Sequence, residues 1–184
     1  MNVPLLNTDL TLECDSPPGA VGLWLLDQVR MEAWDRLLFV ECGDGWLVEE
    51  AWRRMRRGRV VGLSMSPHLV AAAAQLRGVP GVVEFRTWGG ARFPVPDQSF
   101  DRVISCASWG WYREPAAVLH QVTRVLRSGG DAYLLALDQP SATADLLRLL
   151  ADAGLAHVQR YRCDAMPGEP RDRPTPVVIH ACLS

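Results

Sequence analysis

Short apolar runs alternate with segments of helical period along almost the whole of this 184-residue chain, and no other feature restricts its fold as far. Ala20–Ala33 carries apolar residues at helical spacing (Leu23, Leu26, Val29), and Leu37–Glu41 reads as a buried strand. Trp46–Arg57 is amphipathic and stops at Gly58, and Arg59–Leu63 is a second buried strand. Ser66 offers an N-cap with Pro67 at the first helical position, opening a helix to about Arg77. Val82–Arg86 and Arg102–Cys106 supply a third and a fourth strand. Pro115–Leu126 is a helix ended by Ser128-Gly129-Gly130, and Ala132–Leu137 is a fifth strand. Ser141 caps a helix running to Ala153, which Gly154 stops. Leu155–Tyr161 and Val177–Cys182 are two late strands, joined by a loop rich in Pro and Arg.

Strands that alternate with helices imply an α/β, doubly wound, mostly parallel sheet, here of seven strands. The last two strands lack a helix between them, so one of them runs antiparallel near the C-terminal edge. Arg59–Leu63 should lie beside Leu37–Glu41. The length suits a single domain over 1–184.

Composition narrows the function classes. The formal net charge is −2, which gives no basic field for nucleic acid or an anionic membrane. All 19 basic residues are Arg, a bias that fits a GC-rich genome better than a binding role. The one basic cluster, Arg53-Arg54-Met55-Arg56-Arg57, suits the last turn of a helix, where cations offset the macrodipole. The five cysteines, Cys14, Cys42, Cys106, Cys163 and Cys182, show neither CxxC nor zinc spacing and read as free thiols in a reducing cytoplasm. MNVPLLNTDLTLECD has no basic start or long apolar run, so neither a signal peptide nor a membrane span is expected.

In an open parallel sheet, ligands bind beyond the strand C-termini, which singles out Glu41–Leu47, Ser64-Met65, Arg86–Arg92 and Ser105–Trp111. In ECGDGWL, Gly43 and Gly45 let a ligand approach the backbone. A nicotinamide-binding loop needs G-x-G-x-x-G, but Val48 stands third after Gly45, and Ser64 replaces the acid expected at the end of the second strand. His68 and His120 fall on helices, and His157 and His180 on late strands, so no His is placed to act as a base. No catalytic residue and no metal ligand is assigned.

Four segments in order, FVECGDG, VVGLSMSPHLV, FPVPDQSFDRVIS and HQVTRVLRSGG, resemble the class I S-adenosylmethionine (SAM)-dependent methyltransferases. The nearest group is the small-molecule type related to ubiquinone and menaquinone biosynthesis, and the likeness covers about Leu37 to Asp138. The resemblance implies that Glu41 helps hold the SAM amino group, with Cys42, Gly43 and Gly45 in the loop beneath the cofactor. The family's third glycine aligns with Leu47. An acid that binds the ribose hydroxyls is replaced by Ser64, and one that meets the adenine amino group by Gly89, leaving the backbone of Met65 and Gly90 to compensate. Restoring the first acid, as Ser64→Asp, is expected to tighten SAM. Asp97 and Asp101 are structural in such proteins. Cys106 would line the cofactor cleft, and Trp109 and Trp111, either side of Gly110, would face the acceptor.

The expected function is methyl transfer from SAM to a small molecule. The alternative is a non-catalytic or repurposed methyltransferase-fold protein, either a partner subunit or a small-molecule binder. An open cleft leaves room for a second copy or a partner subunit to cover it.

Overall fold

The computed structural model describes residues 19–107, 109–163 and 175–183. Cys14, the N-terminal stretch and most of the Pro- and Arg-rich loop lie outside them.

Seven strands form one sheet: β1 (Arg36–Val40), β2 (Arg59–Ser64), β3 (Val83–Thr87), β4 (Phe100–Ser105), β5 (Leu126–Leu137), β6 (Leu155–Arg162) and β7 (Pro176–Leu183), in the order β3-β2-β1-β4-β5-β7-β6. Every pairing from β3 to β5 is parallel, while β7 runs antiparallel to both β5 and β6. β6 and β7 pair antiparallel, as the Pro- and Arg-rich sequence between them, with no helical period, leads one to expect. β1 pairs with β2 in the expected place, Leu37 opposite Val60 and Val40 opposite Leu63.

Residue alternation in β1 divides the core. Leu37 and Phe39 face α1 (Ala20–Gln28) and α2 (Trp46–Met55), packing among Leu25, Leu26 and Val48. Leu38 and Val40 face the other layer with α4 (Pro115–Val125) and α5 (Pro140–Asp152), among Leu119, Val122, Leu146 and Leu150. Both faces of the central strands are therefore covered, which is why they read as continuous apolar runs. α3 (Pro67–Arg77) starts as expected: the Ser66 side chain accepts from Leu69 N, and Pro67 takes the first turn.

Several boundaries differ from the local pattern, and three of the differences have a visible cause. α1 stops at Gln28 instead of Ala33, because Val29 turns extended and the next residue is held elsewhere. Arg30 N–H donates to the Tyr133 hydroxyl (3.2 Å), and Arg30 O accepts from Arg102 Nε (3.1 Å). α5 starts at Pro140 with Gln139 as its N-cap, so Ser141 lies inside the first turn and does not cap it. Proline's fixed φ suits the first helical position, and Gln139 O already accepts from Thr143 N at 2.8 Å. β5 begins at Leu126, which pairs with Phe100 before the register shifts at the Ser128–Gly130 bend.

Candidate functional site: a carboxylate across three strand ends

The chain leaves β1 through Glu41, whose φ of +55 is left-handed and rare for a residue with a β-carbon. Cys42 N–H then bonds Leu63 O (2.9 Å), and Gly45 N–H closes a turn onto Cys42 O (3.0 Å). The backbone rotation at Glu41 carries its side chain sideways over the neighbouring strand ends. Oε2 accepts from Ser64 Oγ and from Met65 N, both at 3.4 Å, and Oε1 accepts from Trp88 Nε1 at 2.6 Å. Burial raises the Glu41 pKa above the usual carboxylate range, and the three donors only partly offset it.

Trp88 is the residue that sequence reasoning missed. It is 3% exposed, meets Phe93 edge-on (centroids 4.9 Å apart) and stands one position before Gly89. The available signal was an indole at a strand end, since a buried indole N–H needs an acceptor.

The two loop glycines do different work. A β-carbon at Gly43 would meet nothing within 4 Å, so this part of the loop is open to a ligand. One at Gly45 would fall 2.5 Å from Phe85 Cε1 and 3.0 Å from Ala73 Cβ, so Gly45 allows close packing on β3 and α3. Trp46 opens α2, and Leu47, where a third glycine would align, packs toward Gly22 of α1. Arg77 staples the loop to α3 through the Asp44 carbonyl and carboxylate (3.1 Å each) and through Glu49 (2.6 Å).

Ser64 is 2% exposed; its Oγ also accepts from Ser66 N (3.2 Å). Gly89 is open on its side-chain face, and Gly90 (φ +83) lies near the Met65 sulfur. Cys106 N–H bonds Val40 O (2.9 Å), which puts Cys106 beside the β1 exit. Burial pushes the Cys42 thiol up to about 12 and that of Cys106 well above the ordinary thiol range. Neither is a thiolate nucleophile at neutral pH.

The two indoles expected on the acceptor side separate. Trp109–Trp111 curl into one 3-10 turn, which sets the two indoles roughly 120° apart. Trp109 is buried and, with Gly110, Tyr112, Leu137, Gln139, Asp145, Leu146 and Leu149, lines a cavity of about 250 Å³ at the carboxyl end of β5. Trp111 does not line it and packs edge-on against Tyr112, whose hydroxyl bonds Ser105 Oγ (3.0 Å).

The remaining charged candidates are structural. Asp101 takes the Arg36 N–H and Arg127 (2.8 Å each), and Asp97 pairs with Arg124. In the basic cluster, Arg53 pairs with Glu49 and Arg54 with Asp27 and Glu50, while Arg57 lies over the Trp34 ring.

At the opposite, amino-terminal end of the parallel strands, the fold gathers Asp131, His180 and Cys182, a trio that sequence spacing does not reveal. Asp131 Oδ1 meets His180 Nε2 at 3.0 Å and Cys182 Sγ at 2.9 Å, while Oδ2 lies 3.1 Å from Arg102 Nε. Burial alone would raise Asp131, but the Cys182 and His180 hydrogen bonds and the Arg102 charge outweigh it and hold its pKa below the usual value. A depressed folded pKa adds stability above the unfolded value, near 3.8, that disappears as pH falls through the folded one. Asp131→Asn should therefore cost about 2–4 kcal/mol at neutral pH. In denaturant midpoints measured against pH, its difference from wild type should shrink below about pH 4. A pH-independent difference would mean that the charge is not what matters.

An open doubly wound sheet, a two-glycine loop after β1 and a carboxylate laid across the strand ends make up an α/β architecture of the kind that takes ligands beyond the carboxyl ends of its strands. A methyltransferase-domain family matches residues 38–134, just over half of the chain, and the protein belongs to that family. An uncharacterized methyltransferase of Schizosaccharomyces pombe, C70.08c, is 34% identical over 110 residues, 58% of this chain and 41% of its own length. Demethylmenaquinone methyltransferase of Deinococcus radiodurans is 29% identical over 108 residues, 58% of this chain and 45% of its own. Among solved structures, geranyl diphosphate C-methyltransferase of Streptomyces coelicolor, bound to Mg2+, geranyl diphosphate and S-adenosyl-L-homocysteine, covers 90% of this chain and 79% of its own with a TM-score of 0.71. At 18% identity that last likeness speaks for the fold alone. The chain spans 41–62% of the length of the first curated relatives it matches. Among the described residues, no helix is long and apolar enough to cross a membrane.

Proposed function

We propose that the protein is an SAM-dependent methyltransferase acting on a small molecule. The observation that carries this reading is the partly buried Glu41 carboxylate beside the open backbone of Gly43, at the carboxyl ends of the central strands. That donor set fits the cofactor: a carboxylate for its hydroxyl or ammonium groups, and a loop with no side chain over it.

In this reading Glu41, Cys42, Gly43, Gly45, Ser64, Met65, Gly89, Gly90 and Cys106 form the cofactor side. Trp109 and Trp111 belong to the acceptor side, with Trp109 in the cavity wall and Trp111 buttressing Tyr112. SAM supplies a sulfonium-activated methyl group. The chain's own work is to hold the acceptor against it and keep water out, for which no covalent intermediate is needed. At about 250 Å³ the cavity is small for a ligand pocket, and its apolar wall with Gln139 and Asp145 suits a compact, largely apolar acceptor or one end of a longer one. Exposed Met65 and Leu69 near the cofactor side suit cover by a second copy or partner subunit.

Calorimetry with SAM and S-adenosylhomocysteine tests the reading, and no heat at millimolar ligand would end it. The acceptor side has its own test. Gly110 lines the cavity, and a β-carbon there would meet nothing within 4 Å. Gly110→Leu should therefore fold and narrow the cavity. Turnover of an identified acceptor should fall about ten-fold or more, with S-adenosylhomocysteine affinity little changed. Unchanged turnover would place the acceptor elsewhere.

A further inference from the structure

We propose that Glu41 is the acceptor for the cofactor's ribose hydroxyls, and that Trp88 is the positioning residue that holds it over the end of β2. This rests on the SAM reading above. In open parallel α/β sheets that bind nucleosides, the ribose is met by an acidic side chain at the end of the second strand. That position here is Ser64, which is neutral, almost fully buried and already committed. Its hydroxyl donates to Glu41 and accepts from Ser66 N.

The missing negative charge arrives from the neighbouring strand. The left-handed φ at Glu41 turns its side chain toward β2, where Ser64 Oγ and Met65 N meet Oε2. A carboxylate offers about four acceptor positions. Among the described residues three donors reach it, and the two on Oε2 are long at 3.4 Å. A vicinal diol could take the free position and displace one of the long contacts. The short Trp88 bond on Oε1 stays in place, because the indole is fixed against Phe93 and the 2.6 Å contact is charge-assisted.

The test separates ribose from ammonium recognition by choice of ligand. 5′-Methylthioadenosine keeps the nucleoside of S-adenosylhomocysteine but lacks its amino acid. Glu41→Gln should weaken both ligands by a similar factor, about ten- to a hundred-fold in calorimetry. Wild type should bind the 2′-deoxy form of methylthioadenosine about ten-fold or more weakly, and Glu41→Gln should lose most of that discrimination.

Trp88→Phe removes a hydrogen bond that favours ionised Glu41, so the carboxylate titrates at higher pH. The pH below which affinity is lost should therefore move upward, a change that a purely structural indole would not produce. Should Glu41→Gln weaken S-adenosylhomocysteine and leave methylthioadenosine unchanged, Glu41 holds the amino group and the proposal is overturned, with the methyltransferase reading intact. Tighter binding by Trp88→Phe would show that the indole obstructs the site and would overturn its positioning role. Wild-type protein that binds neither ligand would remove the methyltransferase reading itself.

Discussion

Gly45→Ala should destabilise the protein by about 2–5 kcal/mol and abolish cofactor binding, whereas Gly43→Ala, two residues earlier, should cost about 1–2 kcal/mol. Both glycines have positive φ, +58 at Gly43 and +80 at Gly45, so an alanine is strained at either by about 1–2 kcal/mol. They differ in surroundings. A β-carbon at Gly45 would lie 2.5 and 2.6 Å from the Phe85 ring and 3.0 Å from Ala73, while Gly43 has no neighbour within 4 Å. The Phe85 ring cannot simply retreat, because it also closes against Gly62, where an added β-carbon would meet it at 2.8 Å. Over-packing a closed site adds about 1–3 kcal/mol. Gly45 is also the N-cap of α2, so a displacement there moves the helix start together with the Glu41–Gly45 turn. Thermal melts of the two variants, with S-adenosylhomocysteine titrations, check this. Equal effects at the two positions would mean that the Phe85 contact does not constrain the loop.

Ser64→Asp should weaken the protein and its cofactor binding, the reverse of what the family resemblance implies. By resemblance the change restores a ribose acceptor and should tighten SAM. In the folded protein Ser64 Oγ lies 3.4 Å from a Glu41 oxygen in a nearly solvent-free position. A second carboxylate there loses the Ser64 donor and sets two negative charges side by side, so one must stay protonated. The expected loss is about 2–4 kcal/mol near pH 7.

The sign with pH follows from the raised carboxylate. A group whose folded pKa lies above its unfolded value binds extra protons when folded. The variant's stability should therefore fall as pH rises from the unfolded value, near 4.5 for Glu41, through the folded one. Glu41→Gln/Ser64→Asp moves the single charge to β2 and should bind S-adenosylhomocysteine better than either single variant. If Ser64→Asp alone tightens binding, Glu41 does not hold the charge of this site.

The seven strands, their approximate positions along the chain, the pairing of β2 with β1 and the loop after β1 were legible in the sequence itself. The elements depend on local periodicity or on a glycine or proline at an element's end. Leu37–Val40 is apolar on both faces because both are buried, and the lack of a helical pattern between the last two strands pointed to the one reversed strand. The side-chain constellation was not legible, because its partners are distant in sequence and meet only through sheet register and one backbone angle. Glu41 reaches Ser64 across 23 residues and Trp88 across 47, and without the +55° φ its carboxylate would not lie over β2. The same holds for α1, whose helical pattern runs to Ala33. The Arg30 bond to Tyr133, 103 residues on, takes the following chain out of the helix. Local pattern determined which elements form; packing decided the full strand order and where each carboxylate and indole points, because a buried polar group turns toward whatever partner the assembled sheet presents.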